Sequence, residues 1–415
     1  MKAKQNEVVS NKYWIKVVVL FTIGWALMYA NRNILNPVQP IIAKEFGLSN
    51  SQLGLMSSLF FLVYAILQIP GGILGDKFGR KGVVSFGFIF FGIATALTGF
   101  SNAFIVILIA RMLVGFGEGF YYGPQYALSS EAIPKNKLTM GTAIINSGMA
   151  LGISGGYMLS SKVVLQDGAH WSTPFFIMSV PTIIVGILFY VLLKERVIRP
   201  EDKDIASETT TKAAKAQEKI SFKEIIKNKN LIFTFIMCFC SLYGFFVINT
   251  WLPQFLQVER GYKGTQVGFI SSLVPWASIP GALLFGYLAD KFKSTKKLVF
   301  ILVPLAAISI IAVAYVQNRT LLIIALICYG LFGKLALDPI LVSFTTKQAP
   351  KAGLATTLSI YNFVGMSSSI LSPYITGAIS DSVGSMKVGF FIAGILLLVG
   401  LFFMSLVKES DTVNV

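Results

Sequence analysis

Residues 70–81 read PGGILGDKFGRK, lying where one long apolar run stops and the next is about to begin. An echo follows 214 residues on (286 − 72 = 214): Gly72, Asp76, Lys77 and Phe78 return as Gly286, Asp290, Lys291 and Phe292. Each aspartate ends an apolar run and leads into a basic cluster. The first cluster is Lys77, Arg80 and Lys81, and the second is Lys291, Lys293, Lys296 and Lys297. An acid at a helix end beside a short basic loop suits a hairpin between two membrane helices. The acid pairs with the cations, and the cations hold the loop on the cytoplasmic side. Its return at half the chain length marks two similar halves.

Working outward, the composition excludes a water-soluble protein. Of 415 residues 54% are hydrophobic and 13% charged, where a soluble protein carries about 25% charged. Apolar runs fall at 14–36, 52–74, 82–101, 103–127, 138–163 and 172–193, then at 231–256, 265–289, 297–316, 320–342, 353–378 and 386–407. At 1.5 Å per residue each is long enough for about 30 Å of hydrocarbon. The expected fold is an all-α membrane protein with twelve transmembrane helices in two pseudo-symmetric six-helix bundles. The domains are 1–193, a cytoplasmic linker at 194–230, and 231–415.

The linker carries ten lysines and arginines with nearly as many acids, and an amphipathic surface helix is expected at Phe222–Ile226. The opposite loops hold few cations (Lys44, Lys162, Arg260, Lys263, Arg319, Lys387), so both termini are expected on the cytoplasmic side of the cell membrane. A net charge of +16 would suggest nucleic acid in a soluble protein. Here the cations lie between apolar runs, which is membrane topology; the expected partner is the lipid bilayer, not nucleic acid. The first apolar run continues as a span with no cleavage site. Cys238, Cys240 and Cys328 all lie in apolar runs and read as packing residues, with no metal site and no disulfide. His170 sits beside Trp171 in a loop, an interfacial neighbourhood.

In the fifth span Gly148, Gly152 and Gly156 form one smooth helix face, which lets two backbones approach closely. Gly365, Ser369, Pro373 and Gly377 repeat the spacing in the eleventh. Either face is compatible with static packing and with a seam on which the two halves rock.

A charge at mid-membrane costs about 2.5–3.5 kcal/mol, so each needs a reason. Within spans lie Arg32, Arg111, Glu118, Lys334 and Asp338. Arg111 and Glu118 are two helical turns apart and share a face. They are either a structural ion pair or a titratable site, in which burial favours the neutral acid and the guanidinium favours the carboxylate. Gly115, Gly117 and Gly119 flank Glu118 and leave room for water. Arg32 and Tyr29 share a face of the first span, and a guanidinium beside a hydroxyl suits a carboxylate or phosphate because the fork holds two oxygens. The alternative for Arg32 is snorkelling to the outer interface. Lys334 and Asp338 at i, i+4 either neutralise one another or leave a cation for an anionic ligand. Asn362 and Tyr64 are further polar candidates.

These residues resemble the major facilitator superfamily: GGILGDKFGRK is similar to its signature loop, and GYLADKFK to a weaker second copy with Lys293 in place of glycine. Within it the pattern resembles the anion:cation symporters, which include sugar-acid and sialin-like transporters. The stretches carrying this are YANRNILNPVQP at 29–40, QIPGG at 68–72, ARMLVGFGEGFYYGP at 110–124, TWLPQFL at 250–256 and APKAGLATTLSIYNFVG at 349–365. The resemblance implies that Arg32 binds the anionic group, with Tyr29, Tyr64 and Asn362 lining the site. It also implies that Glu118, set by Arg111, couples protons. Asn31 stands where sugar-acid members often carry aspartate, which removes one protonation site. Lys334 is outside the family pattern and rests on the charge argument alone.

The expected function is proton-driven import of a small organic anion by alternating access, with Asp76, Lys77, Arg80 and Lys81 gating the cytoplasmic side. The protein is expected to act as a monomer without a cofactor, protons serving as the coupling ion. The alternatives are lysolipid, sphingolipid or drug efflux on the same fold, or a transporter-like nutrient sensor. An enzyme is not expected, since no side-chain grouping has catalytic spacing.

Overall fold

The structure is a computed structural model, and it describes residues 7–8, 10, 12–195, 197–198, 225, 227–292, 295–350 and 354–407. Most of the expected linker, including all of the expected amphipathic helix at Phe222–Ile226 except Ile225, lies outside the described residues, as does Lys293. The helices, in order, are α1 (Tyr13–Asn33), α2 (Gln39–Phe46), α3 (Asn50–Phe78), α4 (Arg80–Gly99), α5 (Phe104–Gly119), α6 (Tyr122–Ala132), α7 (Leu138–Ser160) and α8 (Thr173–Leu192). There follow α9 (Lys229–Val258), α10 (Thr265–Phe292), α11 (Thr295–Tyr315), α12 (Arg319–Phe332), α13 (Lys334–Gln348), α14 (Leu354–Val383) and α15 (Lys387–Ser405). A two-residue strand, Glu7–Val8, pairs in parallel with Val197–Ile198.

Ten spans among the described residues are long and apolar enough to cross a membrane, with α1–α2, α5–α6 and α12–α13 each counting as one. The remaining two long helices, α7 and α14, are rich in glycine, serine and threonine, which lowers their hydropathy. Together they make twelve. Large apolar side chains such as Ile69, Ile105, Ile184 and Leu283 stand exposed along the helices, as a lipid-facing surface requires.

By packing, the residues group into two units: Met1–Val38 with Leu59–Ala216, and Gln39–Ser58 with Gln217–Val415. The first turns of α3 therefore belong with the second unit. Within the first unit the glycine face of α7 receives α1. A Cβ at Gly148, Gly152 or Gly156 would stand 2.4, 2.2 and 2.7 Å from the carbonyl oxygens of Thr22, Ala26 and Ala30. Three carbonyls one turn apart thus fill three glycine notches. This is the static-packing reading of the α7 face, since α1 of its own unit occupies it. The α14 face is divided: Gly365 abuts Leu242 and Cys238 of α9, and Gly377 abuts the carbonyl of Asn50.

Two spans are interrupted where continuous helices were expected. The break between α5 and α6 has a cause four residues on. Pro124 has no N–H, and its ring would clash with the carbonyl of Phe120 in an unbroken helix. The break between α12 and α13 falls at Gly333, where a Cβ would lie 2.5 Å from the carbonyl oxygen of Tyr329. Gly119 and Gly333 differ by the repeat offset (333 − 119 = 214), so the two breaks occupy equivalent places.

Acids dock on the amides that open other helices, where the helix dipole favours negative charge. Glu195 accepts from the amides of Arg80 and, at 3.1 Å, Lys81 at the start of α4. Glu259 accepts from the amide of Met386 at 2.5 Å and from the Ser385 hydroxyl at 2.8 Å, ahead of α15. In the second unit Asp381 accepts from the amides of Asn50 and Ser51, both at 2.8 Å. Partial burial raises the Asp381 pKa, but the Ser51 and Asn50 bonds outweigh it and leave the carboxyl below its ordinary range. A depressed acid stabilises fully above its unfolded pKa and loses that contribution as pH falls through the folded value. Asp381→Asn is therefore expected to lower stability at neutral pH by less than about 1 kcal/mol, since asparagine keeps an acceptor and the exposed charge is screened. A melting curve that is unchanged at pH 7 and differs only in acid would refute this.

Candidate functional site

The buried charges of the first unit converge at the inner faces of α1, α3 and α5. Arg32 occupies the last turn of α1 and is 7% exposed; Glu118, in the last turn of α5, is 0% exposed. Arg32 Nε donates to Glu118 Oε2 at 2.6 Å, a charge-assisted bond in a water-poor setting. Four rings surround the guanidinium. Its Cζ lies 4.5 Å from the Tyr64 ring centroid, 4.8 Å from Tyr29, 5.4 Å from Phe60 and 5.6 Å from Phe61. Such faces hold a cation without neutralising it.

Arg111 takes a different place from the one its spacing suggests. Although it shares a face of α5 with Glu118, its Nη1 donates to the carbonyl of Asn31 at 3.4 Å, and its Cζ stands 4.9 Å over the Phe60 ring. The direct partner of Glu118 is thus Arg32, from another helix. Arg111 adds a second positive charge behind the pair. Pairing across helices brings Arg32 Nε within 2.6 Å of Glu118, whereas two turns along one helix separate Arg111 from Glu118 by about 10 Å of rise. Three atoms of this cluster, Arg32 Nη2, Glu118 Oε1 and Arg111 Nε, are buried with no hydrogen-bond partner among the described residues. A buried ionic group with spare bonding capacity is costly and marks a place where a ligand or proton can act.

The glycines around Glu118 are not openings for water. A Cβ at Gly115 would lie 2.4 Å from the Phe60 carbonyl oxygen, one at Gly117 2.7 Å from Phe91 Cβ, and one at Gly119 2.6 Å from Leu67 Cβ. They are contact glycines that bring α5 against α3 and α4, and they set Phe60 beside both arginines. Asn31 donates through Nδ2 to Thr182 Oγ1 at 2.9 Å and to the Leu27 carbonyl at 3.0 Å, turned toward α8.

In the second unit Lys334 opens α13 and donates to Asp338 Oδ2 at 3.1 Å, and Tyr361 donates to Asp338 Oδ1 at 3.3 Å. Asn362, the next residue on α14, is exposed. The candidate residues thus fall in two groups: Tyr29, Arg32, Tyr64, Arg111 and Glu118 in one unit, Lys334 and Asn362 in the other.

At the signature loop Gly79 has φ 112°, a conformation open to glycine, and turns α3 into α4. Arg80 pairs with Asp76 at 2.9 Å and also with Glu131 of α6, while Lys81 lies 4.9 Å over the Tyr190 ring and Lys77 5.2 Å over Phe78. Sequence reasoning missed Glu131 and Glu195, whose partners are set by the fold. It also missed Phe60, although its position one turn before Tyr64 on α3 was a usable signal.

Relatives carry a consistent theme. The chain is 27% identical over 391 residues to a probable sulfoacetate transporter of Cupriavidus necator, spanning 90% of this chain and 89% of that protein. It is 23% identical over 392 residues to a hexuronate transporter of Bacillus subtilis, 92% and 91% covered. It is 26% identical over 423 residues to a probable galactarate/D-glucarate transporter of Escherichia coli, 93% and 92% covered. A solved inward-facing bacterial homologue of the lysosomal transporter Spinster superposes with a TM-score of 0.81 at 16% identity, covering 97% of this chain and 100% of that one; at such identity this shows the fold. The sequence matches the Major Facilitator Superfamily over residues 21–373 and 234–414. With that match, its paired six-helix bundles and these relatives, the chain belongs to the Major Facilitator Superfamily and is a membrane transporter, not an enzyme.

Proposed function

We propose that this protein imports a small organic anion, a sugar acid or a short sulfonated or plain carboxylate, together with protons. The observation that carries this is the buried Arg32–Glu118 ion pair inside an aromatic cage, with unpartnered atoms on both residues. The anion's paired oxygens take the Arg32 guanidinium, which stays charged throughout. Glu118 then loses its counter-charge and takes up a proton, since a buried carboxylate without a cation is costly. When the anion leaves on the cytoplasmic side, Glu118 gives up that proton and re-forms its bond to Arg32. Anion and proton are thereby bound and released together. Arg111 limits how readily Glu118 takes its proton, and Tyr29 and Tyr64 orient the anion. The Asp76–Arg80–Glu131 cluster holds the cytoplasmic ends of α3, α4 and α6 together. The protein acts as a monomer in the cell membrane, with both termini cytoplasmic.

The test is uptake into proteoliposomes under an imposed inward proton gradient, with sulfoacetate, glucuronate and galactarate as the panel and a lysolipid and a cationic drug as controls. Accumulation of at least one panel anion that collapses when the gradient is dissipated is expected. Transport of the controls alone would overturn the proposal. Glu118→Gln cannot release a proton, so gradient-driven accumulation should fall to background while anion exchange across the membrane persists. A variant that still concentrates its substrate like the parent would remove Glu118 from coupling.

A further inference from the structure

Arg32, Arg111 and Glu118 are not the only charges within the spans among the described residues. The second unit holds a cation of its own at the break between α12 and α13. Phe332 ends one half-helix and Lys334 starts the next, with the Ala336 and Leu337 amides turning back onto the Gly333 carbonyl at 3.1 Å. The opening turn of a half-helix inside a membrane presents backbone N–H groups and the positive end of the dipole, and broken helices at equivalent places in two repeats mark binding sites.

A second observation is independent of the helix end. The Tyr329 hydroxyl is buried without a hydrogen-bond partner among the described residues, and Tyr329 is 2% exposed. Its ring carbon Cζ would lie 3.5 Å from a Cβ at Gly333, so the phenol packs against the break itself. Tyr329, Ser278, Lys334 and Leu335 line one small pocket there, with Phe245 on its wall and the Lys334 Nζ 6.0 Å from the Phe245 ring centroid. Two donors of different kinds, an ammonium and a lone phenol, therefore flank the start of α13.

Asp338 completes the arrangement. One turn along α13, it accepts from Lys334 and from the Tyr361 hydroxyl, and at 37% side-chain exposure it is more open than the 16% exposed Lys334. It holds Lys334 as Glu118 holds Arg32, a carboxylate on a cation near a helix break, but half-exposed where Glu118 is buried. We propose that the Gly333 break is an anion subsite of the second unit, taking one carboxylate or sulfonate group on Lys334, the opening amides of α13 and Tyr329. Asp338 is the resident carboxylate that occupies Lys334 until that group arrives. This deepens, and rests on, the assignment of the protein as an organic-anion transporter.

The experiment is calorimetric binding of the three panel anions to the full chain in lipid nanodiscs. Removing the cation in Lys334→Gln should weaken binding about tenfold or more, and Lys334→Arg should restore it to within about threefold, as expected for a charge-assisted contact. Asp338→Asn should tighten binding about three- to tenfold, since it removes the competing carboxylate and keeps the ammonium. That gain is the decisive readout, because a purely structural ion pair would give losses in both single variants. Unchanged affinity in Lys334→Gln, or loss of affinity in a folded Asp338→Asn, overturns the subsite and leaves the anion-transporter assignment standing. Failure of the parent protein to bind any panel anion overturns both.

Discussion

Arg32→Ala is expected to abolish saturable binding of the transported anion, weakening it by at least about a hundredfold. Truncating one side of a buried, hydrogen-bonded charge pair costs about 3–5 kcal/mol, and the lost guanidinium is also the proposed partner of the substrate. The variant strands Glu118, which is 0% exposed, so part of the damage falls on stability. Arg32→Ala with Glu118→Gln separates the two effects. The double variant should regain part of the lost melting temperature, because the stranded carboxylate is gone and Arg111 keeps its bond to the Asn31 carbonyl, yet still fail to bind anion. Arg32→Lys keeps the charge and loses the fork, and should bind weakly. Calorimetry beside thermal melts decides the matter: near-parental affinity in Arg32→Ala would remove Arg32 from the site.

Gly152→Val is expected to prevent the first unit from assembling. Its new Cβ would meet the Ala26 carbonyl oxygen at 2.2 Å and Tyr29 Cβ at 2.8 Å, so α1 must move away from α7. Overpacking of this kind costs about 1–3 kcal/mol where side chains can yield, and more against a backbone atom. The displaced part of α1 includes Tyr29, and Arg32 lies one turn further on. Size-exclusion profiles of solubilised protein should show aggregate or no protein. Gly155→Val on the same helix is the matched control, since nothing lies within 4 Å of its added Cβ, and it should behave as the parent. A monodisperse, normally stable Gly152→Val would show that the α1–α7 notches are not what holds the pair.

Both predictions bear on how the Arg32–Glu118 bond comes about. Arg32, Arg111 and Glu118 stand out in the sequence, because a charge in an apolar run is conspicuous and must have a reason. Their partners do not stand out. The seven-residue spacing points Glu118 at Arg111, yet the bond forms to Arg32, 86 residues away, through an approach of α1 and α5 that no single helix records. Gly115, Gly117 and Gly119 misled in the same manner. A glycine in a sequence is equally open space or tight contact, and only Phe60, Leu67 and Phe91 standing against them settle which. Pro124 announced a kink that the hydropathy of 103–127 concealed.

The sequence by itself determined the twelve spans, the repeat at 214 residues and the residues too costly to be idle. Each of these is a property of one segment and its transfer into hydrocarbon, which needs no knowledge of neighbours. The tertiary structure alone decided which cation holds which acid, which glycines are notches, and that two spans break at matching places. Those outcomes depend on backbones packed within a few ångströms across helices distant in the chain, and such distances are set by packing that no local pattern encodes.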